Sequence, residues 1–190
     1  MKKVVIIDNY DSFTYNLVHM VNEIIDTEVT ILRNDQFEVK ELDFFDYIIL
    51  SPGPGLPDEA GLLKEVISTY AQTKKIFGVC LGLQAIGEVF GGQLKNLSKV
   101  FHGMKTIMWK TDNTDPILDG IPIQFEAGRY HSWVINKINC PDNLLITAVD
   151  GEGEIMAVRH KDYQVYGVQF HPESMMTPDG KKMLSNFLNL

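Results

Sequence analysis

Cysteine is scarce in this chain, with only Cys80 and Cys140 among 190 residues. That excludes a small disulfide-stapled scaffold, because a chain of this length can bury roughly 70% of its unfolded surface and stand on an apolar core. A reducing, cytoplasmic setting is the expectation, and it leaves a thiol free to react. Positive charge is also short: 17 Lys and Arg face 25 Asp and Glu, a formal net charge of −8. A phosphate backbone needs a cationic face that displaces counterions, so neither nucleic acid nor an anionic membrane is an expected partner. Long apolar runs are missing too. Met1-Lys2-Lys3 followed by Val4-Val5-Ile6-Ile7 begins like a secretion signal, but Asp8 ends the run far short of an h-region or a membrane span. It reads as a buried first strand. No segment repeats and no stretch has the Pro, Gly or Ser content of a linker, so residues 1–190 are expected to form one domain.

What is present is alternation. Val4–Ile7, Val29–Leu32, Tyr47–Leu50 and Lys75–Val79 read as short buried strands. Between them lie helical stripes, Phe13, Leu17, Val21 and Ile24 in the first, and Leu62, Leu63, Val66, Ile67 and Tyr70 in a helix expected from about Glu59. A third helix is expected over Leu81–Phe90. Such alternation predicts βαβ units and a parallel sheet in a three-layer α/β fold. The second half changes character, with strand-like segments at Lys99–Trp109, Ile121–Phe125, Leu144–Val149, Ile155–His160 and Val165–Phe170 that should extend the sheet antiparallel. Met183, Leu184, Phe187 and Leu188 predict a closing helix from about Asp179, with Pro178 at its start.

Within Gly78-Val79-Cys80-Leu81-Gly82-Leu83-Gln84 a β-branched strand runs into a cysteine between two glycines and straight into a helix, the pattern of a nucleophile elbow. Small residues permit the sharp turn, and a helix N-terminus favours a thiolate and offers free N–H groups. Taken alone, Cys80 reads equally as a small buried apolar residue. Cys140, before Pro141, lacks comparable surroundings.

The strand Val165–Phe170 ends in His171-Pro172-Glu173, where open α/β sheets place their sites. Glu173 can accept the imidazole N–H while His171 takes a thiol proton and later returns it, a Cys–His–Glu triad. Read alone, the tripeptide is a polar strand end. His19 and His160 are assigned structural or surface roles. Ser51-Pro52-Gly53-Pro54-Gly55 follows another strand and could aim backbone donors at an oxyanion, with the N–H groups of Gly53 and Leu81 as candidates. A further loop, Arg129-Tyr130-His131-Ser132-Trp133, gathers polar and aromatic groups that could contact an amino-acid substrate.

These strings, with Asp8-Asn9-Tyr10-Asp11-Ser12-Phe13-Thr14-Tyr15-Asn16 and Gly167-Val168-Gln169-Phe170-His171-Pro172-Glu173-Ser174, resemble the class I glutamine amidotransferases over essentially the whole chain. The likeness is to glutaminase subunits of anthranilate synthase and aminodeoxychorismate synthase. It implies a flavodoxin-like fold, Cys80 as nucleophile with His171 and Glu173, and glutamine held by Gly53, Pro54, Gly55, Leu81, Gln84, Ser132 and Trp133. It also implies no cofactor, no metal, and a larger chorismate-binding synthase subunit that receives the ammonia. Leu83 and Trp133 depart from the usual pattern, at positions commonly His or Met and often Leu. Lys99-Val100-Phe101-His102-Gly103 is similar to a segment near the synthase contact, where His102 could couple the two sites.

Three alternatives stand beside this reading. A related glutaminase could serve nucleotide or carbamoyl-phosphate synthesis, although the Asp8–Asn16 string favours chorismate. Asp8 and Asp11 resemble a receiver's acidic cluster, but a receiver needs Asp at the end of its third strand, where this chain has Ser51-Pro52. A non-catalytic regulatory subunit of the same fold is the third.

Overall fold

The computed structural model describes residues 2–25 and 28–190. In chain order the regular elements are β1 (Val4–Asp8), α1 (Thr14–Ile24), β2 (Thr30–Arg33), β3 (Tyr47–Leu50), α2 (Leu63–Tyr70), β4 (Lys75–Val79), α3 (Leu81–Val89) and β5 (Leu94–Asn96). They continue as β6 (Met104–Lys110), β7 (Gln124–Arg129), β8 (Trp133–Ile135), β9 (Leu144–Asp150), β10 (Ile155–His160), β11 (Val165–Val168) and α4 (Gly180–Leu188). Nine strands form one sheet in the order β2-β1-β3-β4-β11-β10-β9-β6-β7. From β2 to β11 neighbours are parallel, and beyond β11 every pairing is antiparallel. The expected parallel sheet with an antiparallel extension is therefore the observed one.

β1 shows why the first strands read as unbroken apolar runs. Val4 and Ile6 belong to a core with Leu17 and Val21 of α1 and Met183, Leu184 and Phe187 of α4. Val5 and Ile7 belong to the opposite core, with Leu63, Val66 and Ile67 of α2 and Leu83, Ala85 and Ile86 of α3. Side chains alternate across a strand, so a sheet covered on both faces must be apolar at successive positions. No helix among the described residues is long and apolar enough to cross a membrane.

Several elements differ from the sequence reading. Pro57–Glu59 form a 3-10 turn and α2 starts only at Leu63, because Gly61 takes φ +54° against the Asn34 carbonyl. Residues 97–103 are not strand but a strap whose N–H groups at Leu97, Phe101 and Gly103 donate to the carbonyls of Ser132, His131 and Arg129 at 2.7, 3.0 and 3.0 Å. The segment expected at Ile121–Phe125 pairs instead as β7 from Gln124. β5 and β8 make a separate two-stranded antiparallel ribbon, too short to leave a periodic signal in the sequence.

Candidate active site

Strand register gathers the site. Val79 of β4 lies opposite Val168 of β11, so the next residues, Cys80 and Gln169, leave adjacent parallel strands at one level. Cys80 N–H donates to the Val168 carbonyl at 2.8 Å, and the Cys80 carbonyl accepts from Gln84 N–H at 3.0 Å, which starts α3 at once. The turn puts Cys80 at φ 52°, ψ −99°, a conformation that an L-residue holds only when its surroundings enforce it. The enforcement is close packing. A Cβ on Gly78 would lie 2.5 Å from the Gly82 carbonyl carbon, and one on Gly82 would lie 2.7 Å from the Leu50 oxygen. Leu81, first in the helix, keeps an N–H with no intrahelical acceptor. Gly53 is pressed beside it: a Cβ there would come 2.7 Å from Leu81 Cδ2 and 2.6 Å from Asn9 Cβ. Asn9 fixes that loop by donating to the Ser51 carbonyl at 2.8 Å.

His171 and Glu173 are buried two residues apart, with His171 Nδ1 2.6 Å from Glu173 Oε1. A carboxylate accepts, so Nδ1 carries the proton. Phe13 and Tyr130 stand edge-on to the imidazole, with ring centroids 5.7 and 4.8 Å away. The His171 backbone is tied on both sides, its N–H to the Gly128 carbonyl and its carbonyl to Thr177 Oγ1. Nε2 has no partner in hydrogen-bonding geometry. Burial works against a charged imidazole here, yet Cys80 and the Glu173 carboxylate outweigh it and push the His171 pKa up to about 10.

Gln84 and Gln169 complete the floor. Gln84 Nε2 donates to the Trp133 carbonyl at 2.9 Å and to Gln169 Oε1 at 3.3 Å, and Gln169 Nε2 lies 3.5 Å from Cys80 Sγ. Pro54 and Gly55 are exposed. The Ser132 carbonyl is held by the strap. The Trp133 indole lines a neighbouring cleft of about 480 Å³ with Leu56, Lys64 and Glu88. Leu83 is fully buried and faces β11, where a Cβ at Gly167 would meet its Cδ1 at 2.8 Å.

The family model for glutamine amidotransferase class-I matches residues 5–190. This chain belongs to the class I glutamine amidotransferase family. The amidotransferase is 44% identical to aminodeoxychorismate/anthranilate synthase component 2 of Bacillus subtilis, covering 97% of this chain and 95% of that one. It is 42% identical to anthranilate synthase component 2 of Saccharolobus solfataricus, covering 100% and 99%. Bifunctional protein TrpGD of Thermotoga maritima is 40% identical over the whole chain, which spans 32% of that longer protein. A crystal structure of a Thermoplasma acidophilum protein named for GMP synthase superposes with a TM-score of 0.89 at 27% identity, covering 100% of this chain and 93% of that one.

Two residues of the amidotransferase that the sequence reading placed in a substrate-contacting loop, Arg129 and His131, are buried behind the site instead. Arg129, 2% exposed, donates from Nη1 to Asp150 at 2.8 Å and from Nε to His131 Nε2 at 3.1 Å. Arginine only donates, so His131 accepts at Nε2 and its Nδ1–H faces the Trp133 carbonyl at 3.1 Å. Burial, then the Arg129 charge, drives the His131 pKa down to about 3. Phe101 of the strap lies under the Arg129 guanidinium, 3.5 Å from it to the ring centroid. The string Arg129-Tyr130-His131-Ser132 was visible in the sequence, but its inward direction depends on β7 and on the strap.

Proposed function

We propose that this chain is the glutaminase subunit of a two-component amidotransferase, releasing ammonia from glutamine for a chorismate-aminating synthase subunit. The observation that carries the reading is the convergence of the Cys80 elbow with the buried His171–Glu173 pair beyond the C-terminal ends of the adjacent parallel strands β4 and β11. Kinship supports the acceptor: the Bacillus relative is named aminodeoxychorismate/anthranilate synthase component 2 and the Saccharolobus relative anthranilate synthase component 2.

In this mechanism Cys80 attacks as thiolate and His171 begins as imidazolium, consistent with its raised pKa. Sulfur bonds to the side-chain amide carbon of glutamine while the carbonyl electron pair moves onto oxygen, facing the Leu81 and Gly53 N–H groups. Collapse of this intermediate expels ammonia, which takes the His171 proton and leaves a γ-glutamyl thioester. Neutral His171 then removes a proton from water, the resulting hydroxide cleaves the thioester, and glutamate departs with thiolate and imidazolium restored. Glu173 holds the imidazole in one tautomer throughout. Gln84 uses its amide N–H groups on Trp133 and Gln169, so its oxygen is the end it presents to the substrate's ammonium group. Ammonia in bulk water would be protonated and diluted, which favours delivery within a complex.

Glutamate release by the purified chain, by itself and with anthranilate or aminodeoxychorismate synthase subunits, tests the reading. Release that rises with one of these subunits and is lost in Cys80→Ser is expected. Absence of release under every pairing, with folded protein and formed complexes, overturns it; release that responds instead to a nucleotide-aminating synthase replaces the acceptor and keeps the chemistry.

A further inference from the structure

Gln169 is fully buried, between Val168 and Phe170 at the end of β11. An uncompensated amide there costs on the order of 1–3 kcal/mol, so its partners matter. Its orientation follows from one fixed point. The Trp133 carbonyl can only accept, so the NH₂ of Gln84, 2.9 Å away, must face it. The other hydrogen of that NH₂ points to Gln169, 3.3 Å away, which must therefore present its oxygen. The Gln169 NH₂ is left facing Cys80 Sγ at 3.5 Å. The register of β4 against β11 makes the contact unavoidable, because the two residues are the first beyond a paired Val79 and Val168.

We propose that Gln169 is a further catalytic residue of this site, donating its side-chain N–H to the Cys80 sulfur and stabilising the thiolate, with Gln84 and the Trp133 carbonyl holding it in that orientation. A hydrogen bond to an ionised acceptor is stronger than a neutral one, so the bond tightens when the thiol loses its proton and again when thiolate leaves the thioester. The same chain of amides links the nucleophile to the segment at Ser132-Trp133. Movement of that segment is felt at sulfur through three hydrogen bonds, with no change in His171. The proposal rests on the glutaminase reading for its catalytic meaning, but the contact can be tested without turnover.

The measurement is the rate of iodoacetamide alkylation against pH in a Cys140→Ser background, so that Cys80 alone reports. Gln169→Leu, close in size and without a donor, is expected to slow alkylation at pH 7 by roughly tenfold and to move its pH midpoint upward by about one unit, as loss of a hydrogen bond to a charged group predicts. Gln169→Glu, which turns oxygen toward sulfur, is expected to slow it further. Gln84→Ala, which leaves the donor in place but unanchored, should give a smaller shift in the same direction. A wild-type alkylation profile in a folded Gln169→Leu protein overturns the proposal. Should that variant fail to fold, the unsubstituted chain still decides: the Gln169 side-chain amide resonances must move in ¹H–¹⁵N spectra as Cys80 ionises, and stationary resonances overturn it. Failure of the glutaminase reading would appear separately, as absent glutamate release beside an intact alkylation profile.

Discussion

Protonating His131 would set a second N–H against the Arg129 N–H that now donates to it, and this makes a buried residue outside the triad the source of a measurable pH response. Its pKa of about 3 in the fold lies below the ordinary 6.5. Between those values the unfolded chain holds a proton that the folded chain lacks, so stability is present above about pH 6.5 and is lost as pH falls toward 3. Asp115 acts in the opposite sense. Burial, against the hydrogen bonds from Thr147 and Ile117, raises its pKa from 3.8 to about 6, so its contribution is lost as pH rises from about 4 to 6. Urea denaturation at pH 6.5 and 4.5 is expected to show a flatter acid loss in His131→Asn and a steeper one in Asp115→Asn, each by at most about 1.4 kcal/mol per pH unit. Equal slopes in all three proteins would contradict both assignments. Residues of the candidate site differed in legibility for a physical reason. Cys80 announces itself through flanking glycines, and His171 with Glu173 through a strand end. Gln169 follows directly on the apolar strand β11, and only the register of that strand with β4, almost ninety residues earlier in the chain, reveals what it touches.

Elements α2 and α3 were both legible as helices, and α3 starts at Leu81 as expected, but the start of α2 was set by backbone geometry that hydrophobic spacing does not report. Spacing alone carried α2 back to Glu59, and the left-handed backbone at Gly61 cuts it off. The strap at residues 97–103 was read as strand from Lys99 onward because Val100 and Phe101 are good strand formers, yet N–H groups of the strap donate to the carbonyls of Arg129, His131 and Ser132. Close approach of α3 to β3 supplies a test at this scale. Alanine is a better helix former than glycine by about 1 kcal/mol, which on its own would make Gly82→Ala stabilising. The added Cβ, however, would meet the Leu50 oxygen at 2.7 Å and Leu50 Cβ at 2.8 Å, and neither is the end of a flexible side chain. Overpacking of that kind costs roughly 1–3 kcal/mol, so a net loss of stability is expected in denaturant titration. A gain of about 1 kcal/mol would mean that α3 is free to slide.

Across the whole molecule, one sheet is shared by two apolar layers, and neither layer can lose it alone. Cooperative unfolding is the expected result, with a built-in way to check it. Trp109 and Trp133 lie in β6 and β8, in the part of the chain without α-helices, whereas α1, α2 and α3 come from the parallel half. Tryptophan fluorescence and helical circular dichroism should therefore trace coincident thermal transitions; fluorescence changing first would show that the antiparallel extension unfolds as a separate unit. The apolar runs that predicted the parallel half came chiefly from β1, β3 and β4, whose residues are almost all buried. In the other half the ends of β9 and β10 were legible to within a residue, whereas the three-residue strands β5 and β8 left no signal. The left-handed backbone at Cys80 has a consequence over generations rather than within one fold. Under the proposed function, selection for chemistry keeps a side chain where the turn would be more at ease without one. Relieved of that selection, a descendant of this chain would drift toward glycine at position 80, so the residue found there records whether a lineage still uses the site.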